Sequence, residues 1–149
     1  MVLLQFVTLT AFLLVAPATQ KSKRAISSKD PCATAMTQAD LNECWAQQYK
    51  KADAHLNSIY KTLLELMKND LVRDGKLNNA DMVKFDETAL LDLKRTERLW
   101  IRYRDSACKQ QIGSGSMAPM TGAICLMDVT NDRIREIKDA YETPDRKLE

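Results

Sequence analysis

Glycine, proline and histidine are scarce in this chain of 149 residues, which has four Gly, four Pro and one His. So few Gly and Pro exclude a collagen-like chain and argue against a disordered one. No stretch alternates between apolar and polar residues as strands do, which favours helices. Neither sign of charge dominates, because 22 Lys and Arg stand against 20 Asp and Glu.

The small positive excess lies outside the predicted domain. Residues 32–142 hold 16 Lys and Arg against 17 Asp and Glu, a net charge of −1. The domain therefore has no overall basic field of the kind that attracts nucleic acid, and no nucleic-acid partner is expected.

The first 18 residues predict a signal peptide. Residues 2–18 are almost wholly apolar and end in Ala16-Pro17-Ala18, the small-x-small pattern that a signal peptidase accepts. A flexible basic leader is predicted over residues 19–31, since few of its side chains are apolar. Cations follow the apolar run and none precedes it, an order that leaves an uncleaved membrane anchor open. After cleavage, no membrane association is expected.

The four cysteines, Cys32, Cys44, Cys108 and Cys125, all follow the apolar segment. An even number in a small exported chain predicts two disulfides and a periplasmic or secreted location. The intervals of 11, 63 and 16 residues are too wide for a zinc site, so no metal is expected. Pairing of sequence neighbours, Cys32 with Cys44 and Cys108 with Cys125, is slightly favoured. Pairing of Cys44 with Cys108 and Cys32 with Cys125 stays open.

Apolar periodicity predicts three helices. A capping box at Thr37-Gln-Ala-Asp40 precedes a helix of about 30 residues. Residues 70–79, with Gly75 and two adjacent Asn, predict a turn, and a second helix is expected over about residues 80–111. A third helix is expected from about Thr121 to Pro144. The fold class is therefore all-α: an antiparallel helical hairpin with a third, shorter helix, stapled by disulfides over residues 32–142, with a tail at 143–149.

The chain offers no catalytic constellation. His55 is the only imidazole, and its helical neighbours, such as Lys51 and Ile59, do not orient it as a base. The Gly113-Ser-Gly-Ser116 segment has neither the strand before a nucleophile elbow nor the Gly-Lys-Ser of a phosphate loop. We expect no enzyme activity and no cofactor. The loop is instead a candidate contact surface, because a loop between two cysteines loses little entropy on binding.

The segment from Trp100 to Cys108 combines aromatic and charged residues. Trp100 and Tyr103 are predicted to share the core face, while Arg104 and Asp105 point elsewhere and can each find a partner on an adjacent helix. A basic strip on the same helix is formed by Lys94, Arg98, Arg102 and Lys109.

Several short motifs occur in a distinctive order: the Cys32 to Cys44 interval, Leu56-Asn57-x-x-Tyr60, Trp100-x-x-Tyr103-Arg104-Asp105-x-x-Cys108, the Gly- and Ser-rich loop, and Cys125 followed by Thr130-x-x-Arg133. Together they resemble the bacterial LprI-type lysozyme inhibitor family over about residues 32–137. The resemblance implies an exported, disulfide-bonded helical domain that inhibits lysozyme. It implies a scaffold role for Leu56, Asn57, Tyr60, Trp100, Tyr103, Arg104, Asp105 and Arg133.

The expected function is therefore to bind lysozyme and block peptidoglycan hydrolysis. The nearly neutral domain offers no electrostatic steering toward a basic lysozyme, so a steric mechanism is favoured. In that mechanism a loop enters the sugar-binding cleft, and its candidate residues are Gly113, Ser114, Gly115, Ser116 and Met117. The alternative is a generic cell-envelope interaction module whose basic strip binds another protein or an anionic wall polymer.

Overall fold

The computed structural model describes residues 30–149, which form three α-helices. Helix α1 spans Gln38–Lys76, α2 spans Ala80–Gln111 and α3 spans Ala118–Tyr141. Helices α1 and α2 form an antiparallel hairpin, and α3 packs against both, more extensively against α1. The all-α prediction is confirmed for this part of the chain. The predicted signal peptide and the leader up to residue 29 lie outside the described residues.

A capping box starts α1, as predicted. The Asp40 backbone N–H donates to Thr37 Oγ1 at 3.1 Å, and the Thr37 N–H donates to Asp40 Oδ2 at 3.0 Å. These reciprocal bonds satisfy two donors that a helix start otherwise leaves free. The bond with Thr37 also lowers the pKa of Asp40.

The predicted turn over residues 70–79 is wrong in most of its length, because α1 continues to Lys76. Local ion pairs support this last part of the helix: Arg73 Nη1 lies 2.7 Å from Asp70 and Arg73 Nε lies 3.0 Å from Asp74. The reversal needs only residues 77–79. Asn78 takes a φ of 53°, and the Asn79 side chain accepts the Met82 N–H to cap α2. The Asn pair, rather than Gly75, makes the turn.

The disulfides join sequence neighbours, Cys32 to Cys44 and Cys108 to Cys125. The favoured pairing is confirmed, and the alternative is wrong. The alternative assumed a turn centred several residues too early, which placed Cys44 opposite Cys108. With the turn at residues 77–79, each residue of α1 faces a position on α2 that is several residues further along the chain, so Cys44 is no longer opposite Cys108.

The core lies where the three helices meet. Helix α1 contributes the buried residues Ala52, Leu56, Ile59 and Leu63, which follow the predicted periodicity. The central cluster of the described residues comprises Leu56, Ile59, Leu63, Leu93, Ile134, Ile137 and Leu148. Helix α3 begins three residues before the predicted Thr121, because Pro119 is tolerated in a first turn that needs no backbone donor there.

Residues 143–149, set apart as a tail on sequence, pack back onto the bundle. Leu148 is fully buried in the core, and its N–H donates to Glu142 Oε1 at 2.9 Å. Arg146 Nη2 lies 2.8 Å from Asp70 Oδ2 on α1. The chain end thus covers the half of the hairpin that is remote from the disulfides.

Candidate functional site

Both disulfides lie at one end of the bundle, opposite the hairpin turn, and we call this end the stapled end. It holds the start of α1 and the connection between α2 and α3. Residues 113–117, here the stapled loop, are all exposed. The structure therefore places the five predicted binding residues together on an accessible surface.

The backbone of the stapled loop is held at several points. The disulfide between the buried Cys108 and Cys125 joins the helices on either side of it. Asn42 Nδ2 on α1 donates to the Ser116 carbonyl at 3.0 Å. Gly115 has a φ of +92°, a conformation that favours glycine. A loop held in this way keeps its side chains free while losing little conformational entropy on binding.

An apolar groove of about 440 Å³ lies beside the stapled loop, between α1 and α3. Ile112 closes one side of it by packing on Gly122, where an added Cβ would lie only 2.9 Å from Ile112 Cδ1. The lining residues are Ala46, Tyr49, Lys50, Ile112, Ala118, Pro119, Gly122, Ala123 and Leu126. Sequence reasoning missed this groove because it depends on how α1 and α3 align. The small residues at the start of α3 were the available signal.

Exposed apolar side chains surround the loop. Ile112 precedes it, Met117 is its last residue, and Met36 precedes the capping box at the same end of α1; all three are exposed. Methionine side chains adapt to irregular partner surfaces, so the stapled end suits contact with another protein.

Behind the stapled end, Arg104 anchors a buried polar network. Its Nη1 lies 2.8 Å from Asp53 Oδ1 on α1, and its Nε lies 2.9 Å from Asp105 Oδ1. The guanidinium also lies over the rings of Tyr49 and Trp100. Burial alone would lower the pKa of Arg104, but its bonds to the two aspartates outweigh burial and raise that pKa.

The prediction that Tyr103 shares the core face and Arg104 points elsewhere is wrong. The expected partner of Arg104 on an adjacent helix is confirmed as Asp53 of α1, whereas Asp105 pairs with Arg104 on its own helix. Tyr103 is 65% exposed, whereas Arg104 is only 6% exposed. The inward face of α2 contains Leu93, Glu97, Arg104 and Cys108, and Tyr103 lies one residue, or about 100°, away from it. An arginine can occupy this face because carboxylates and aromatic rings surround its guanidinium.

The Asn57 and Arg104 motifs meet through Asp53. Asn57 Nδ2 donates to Asp53 Oδ2 at 3.1 Å, while Arg104 Nη1 donates to Oδ1 of the same carboxylate. Next to Asn57, Leu56 is buried in the core, and Tyr60 packs against it, where burial raises the pKa of the Tyr60 hydroxyl. Asp53 was not among the predicted site residues. Its position four residues before Asn57 was the signal that could have found it.

Arg133 forms a second buried ion pair. Its Nη2 and Nε lie 2.8 and 3.0 Å from Glu97 Oε2, and its Nη1 lies 3.2 Å from Glu136. The Arg133 guanidinium also lies 5.6 Å from the Trp100 ring centre, so Trp100 contacts both buried arginines. Five of the eight predicted scaffold residues thus lie in or against this interior: Leu56, Tyr60, Trp100, Arg104 and Arg133. Tyr103 is on the surface, and the exposed Asn57 and Asp105 contact the network from outside.

The similarity to known proteins covers most of the described residues. The family model of the lysozyme inhibitor LprI matches residues 28–137. The chain belongs to the LprI family. The uncharacterized protein R02472 of Rhizobium meliloti (strain 1021) is 36% identical over 115 residues, which cover 75% of this chain and 79% of that protein. No solved structure matches the chain.

Two findings for this LprI-family chain concern a metal site and a membrane span in the described residues. Within residues 30–149, no group of three His, Cys, Asp or Glu side chains could hold a metal ion. The helices of the same part of the chain include none long and apolar enough to cross a membrane. The family is described as one of inhibitors, which agrees at that level with a protein that binds another protein.

Proposed function

We propose that the protein inhibits lysozyme, and that the stapled loop with the adjacent apolar groove is its contact surface. The family supports the activity. The observation that supports the location is a loop of five consecutive exposed residues, held by a disulfide and by Asn42, beside an open apolar groove.

The chemistry of the loop suits a sugar-binding cleft. Ser114 and Ser116 offer hydroxyl groups that donate and accept hydrogen bonds, as the hydroxyls of a glycan do. Glycines at positions 113 and 115 add no side chain to the loop, and both lie in open space, since neither has any heavy atom within 4 Å of an added Cβ. Ile112 and Met117 supply apolar area for the rim of the contact. The loop acts as a steric plug and needs no reacting group.

We further propose that the protein acts outside the cytoplasm. Two disulfides in the described residues fit an oxidising compartment. Residues 1–18 are proposed as a signal peptide cleaved after Ala18, which gives a periplasmic or secreted protein. Mass spectrometry of the mature N-terminus tests the cleavage: a chain beginning at Thr19 supports it, and a chain retaining residues 1–18 contradicts it.

Inhibition is measured by the turbidity of cell walls treated with lysozyme, with and without the purified protein. The wild-type chain should slow clearing. Ser114→Lys with Ser116→Lys should abolish this effect, because two long side chains would keep the loop out of a cleft shaped for a sugar chain.

The matched control carries Val72→Lys and Leu77→Lys, which add the same charge at exposed positions near the hairpin turn. It should inhibit like the wild type. Equal inhibition by the loop variant would refute the location, and clearing at the normal rate with the wild-type chain would refute the activity.

A further inference from the structure

Helix α2 carries a row of cations on its exposed side. Lys84, Arg95, Arg98, Arg102 and Lys109 are all exposed, and we call them the basic face. Their steps of 11, 3, 4 and 7 residues keep them on one side of a helix with 3.6 residues per turn. The structure revises the strip expected from sequence, since Lys94 is half-buried while Arg95 and Lys84 are exposed.

No cation of the basic face forms an ion pair in the described protein. The cations in ion pairs among residues 30–149 are Arg73, Arg104, Arg133, Arg135, Lys138 and Arg146, and none belongs to the basic face. The exposed carboxylates of Glu87 and Asp92 lie between Lys84 and Arg95, so positive charge is concentrated from Arg95 to Lys109, over about 21 Å at a rise of 1.5 Å per residue. The exposed carboxylate within that stretch, Asp105, pairs with Arg104. An anionic partner would match this positive stretch.

Exposed apolar side chains are interspersed with these cations. Leu91 is 65% exposed and Leu99 is 53% exposed, one turn on either side of Arg95. Tyr103 follows Leu99 by one turn and is also exposed. A soluble polyanion would contact the arginines and gain little from the leucines. A lipid surface offers phosphates for the arginines and acyl chains for the leucines.

We propose that the basic face of α2 binds the anionic headgroups of a phospholipid membrane. The helix lies along the membrane surface, its arginines contact lipid phosphates, and Leu91 and Leu99 insert between headgroups. This contact involves a helix side, so the stapled loop at the end of the bundle stays accessible. It replaces the expectation of no membrane association after cleavage and does not depend on lysozyme inhibition.

The test measures partitioning of the full chain onto vesicles of phosphatidylcholine alone or with 30% phosphatidylglycerol. Binding should be more than a hundredfold stronger with the anionic lipid, since all five cations contribute. Each basic side chain near such a surface contributes about fivefold, so Arg95→Gln, Arg98→Gln and Arg102→Gln together should weaken binding about a hundredfold. Equal binding to both vesicle types would overturn the proposal.

A matched control removes three exposed cations from α1, with Lys51→Gln, Lys61→Gln and Lys68→Gln. It should bind anionic vesicles within about threefold of the wild type, because those lysines lie off the basic face. A loss as large as that of the α2 triple variant would show a general charge effect and overturn the proposal.

The apolar contribution separates a membrane from a soluble polyanion. Leu91→Ser with Leu99→Ser should weaken vesicle binding about tenfold, since both side chains leave water on insertion. Binding of the same variant to dextran sulfate should not change. Unaltered vesicle binding by this variant would show that the face recognises charge alone and would overturn the membrane assignment. Unchanged far-UV circular dichroism confirms that each variant is folded.

Discussion

Removal of Arg133 alone should destabilise the protein more than removal of Arg133 together with Glu97. The Glu97 side chain is only 7% exposed, and its Oε2 accepts two hydrogen bonds from Arg133. Arg133→Met would leave this carboxylate buried with little access to water. Breaking one side of a buried ion pair costs about 3–5 kcal/mol. We expect the lower part of that range, because the second partner of Arg133, Glu136, is largely exposed and the loss of that contact adds little.

The double variant Glu97→Met with Arg133→Met should recover most of this loss. It removes both charges and leaves unbranched apolar chains of similar length beside Trp100. Such replacements of buried pairs are often neutral, so we expect a net cost of about 1 kcal/mol or less. The matched control is Arg135→Met. Arg135 is 66% exposed and pairs with Asp132 on the surface, so its loss should cost at most about 1 kcal/mol.

Urea unfolding with the disulfides intact measures five free energies of unfolding: those of the wild type, Arg133→Met, Glu97→Met, the double variant and the control Arg135→Met. A double-mutant cycle then isolates the coupling between Glu97 and Arg133. The reasoning would be refuted by a cost below 1 kcal/mol for Arg133→Met. It would also be refuted by a double variant whose loss equals the sum of the two single losses.

Three further predictions concern titration, covalent links and glycine conformation. Burial, with neighbouring carboxylates, raises the pKa of Asp86 in the folded protein above its unfolded value of 3.8. The contribution of Asp86 to the free energy of unfolding therefore falls as the pH rises from 3.8 through the pKa of the folded state. Asp86→Asn should therefore raise the melting temperature at pH 7 but not below about pH 3.5; an equal gain at both would contradict this. Cys108→Ser with Cys125→Ser should lower the free energy of unfolding by about 3 kcal/mol in urea titrations, and no loss would contradict the stapling argument. Gly115→Ala should cost about 1 kcal/mol because the φ of Gly115 is positive. Gly75→Ala should stabilise the protein by about 0.5–1 kcal/mol, because Gly75 lies within α1 with no atom close to an added Cβ. A higher midpoint of urea unfolding for Gly115→Ala than for Gly75→Ala would refute both.

The helices could be predicted from sequence because their signals are local. The capping box at Thr37 and the three- and four-residue steps of Ala52, Leu56, Ile59 and Leu63 need only one helix to be read correctly. The hairpin turn was harder, because Gly75 and the Asn pair are all turn formers. The ion pairs of Arg73 with Asp70 and Asp74 support the continuation of α1 to Lys76, and this one difference shifted the whole hairpin register.

The buried arginines could not be predicted from hydrophobic periodicity. Arg104 faces inward only because Asp53, 51 residues earlier, supplies a carboxylate on the opposite helix. A pattern that treats charge as exposed therefore placed Tyr103 in the core instead. The apolar groove escaped prediction for a similar reason, since it joins Tyr49 of α1 to Pro119 of α3.

The most direct test of the proposed mechanism is a binding titration between the purified protein and lysozyme, repeated with a chito-oligosaccharide that saturates the sugar-binding cleft. If the stapled loop enters the cleft, the two proteins bind one to one, and the oligosaccharide abolishes binding. Binding that is unchanged by the oligosaccharide, or no binding at all, would contradict the mechanism.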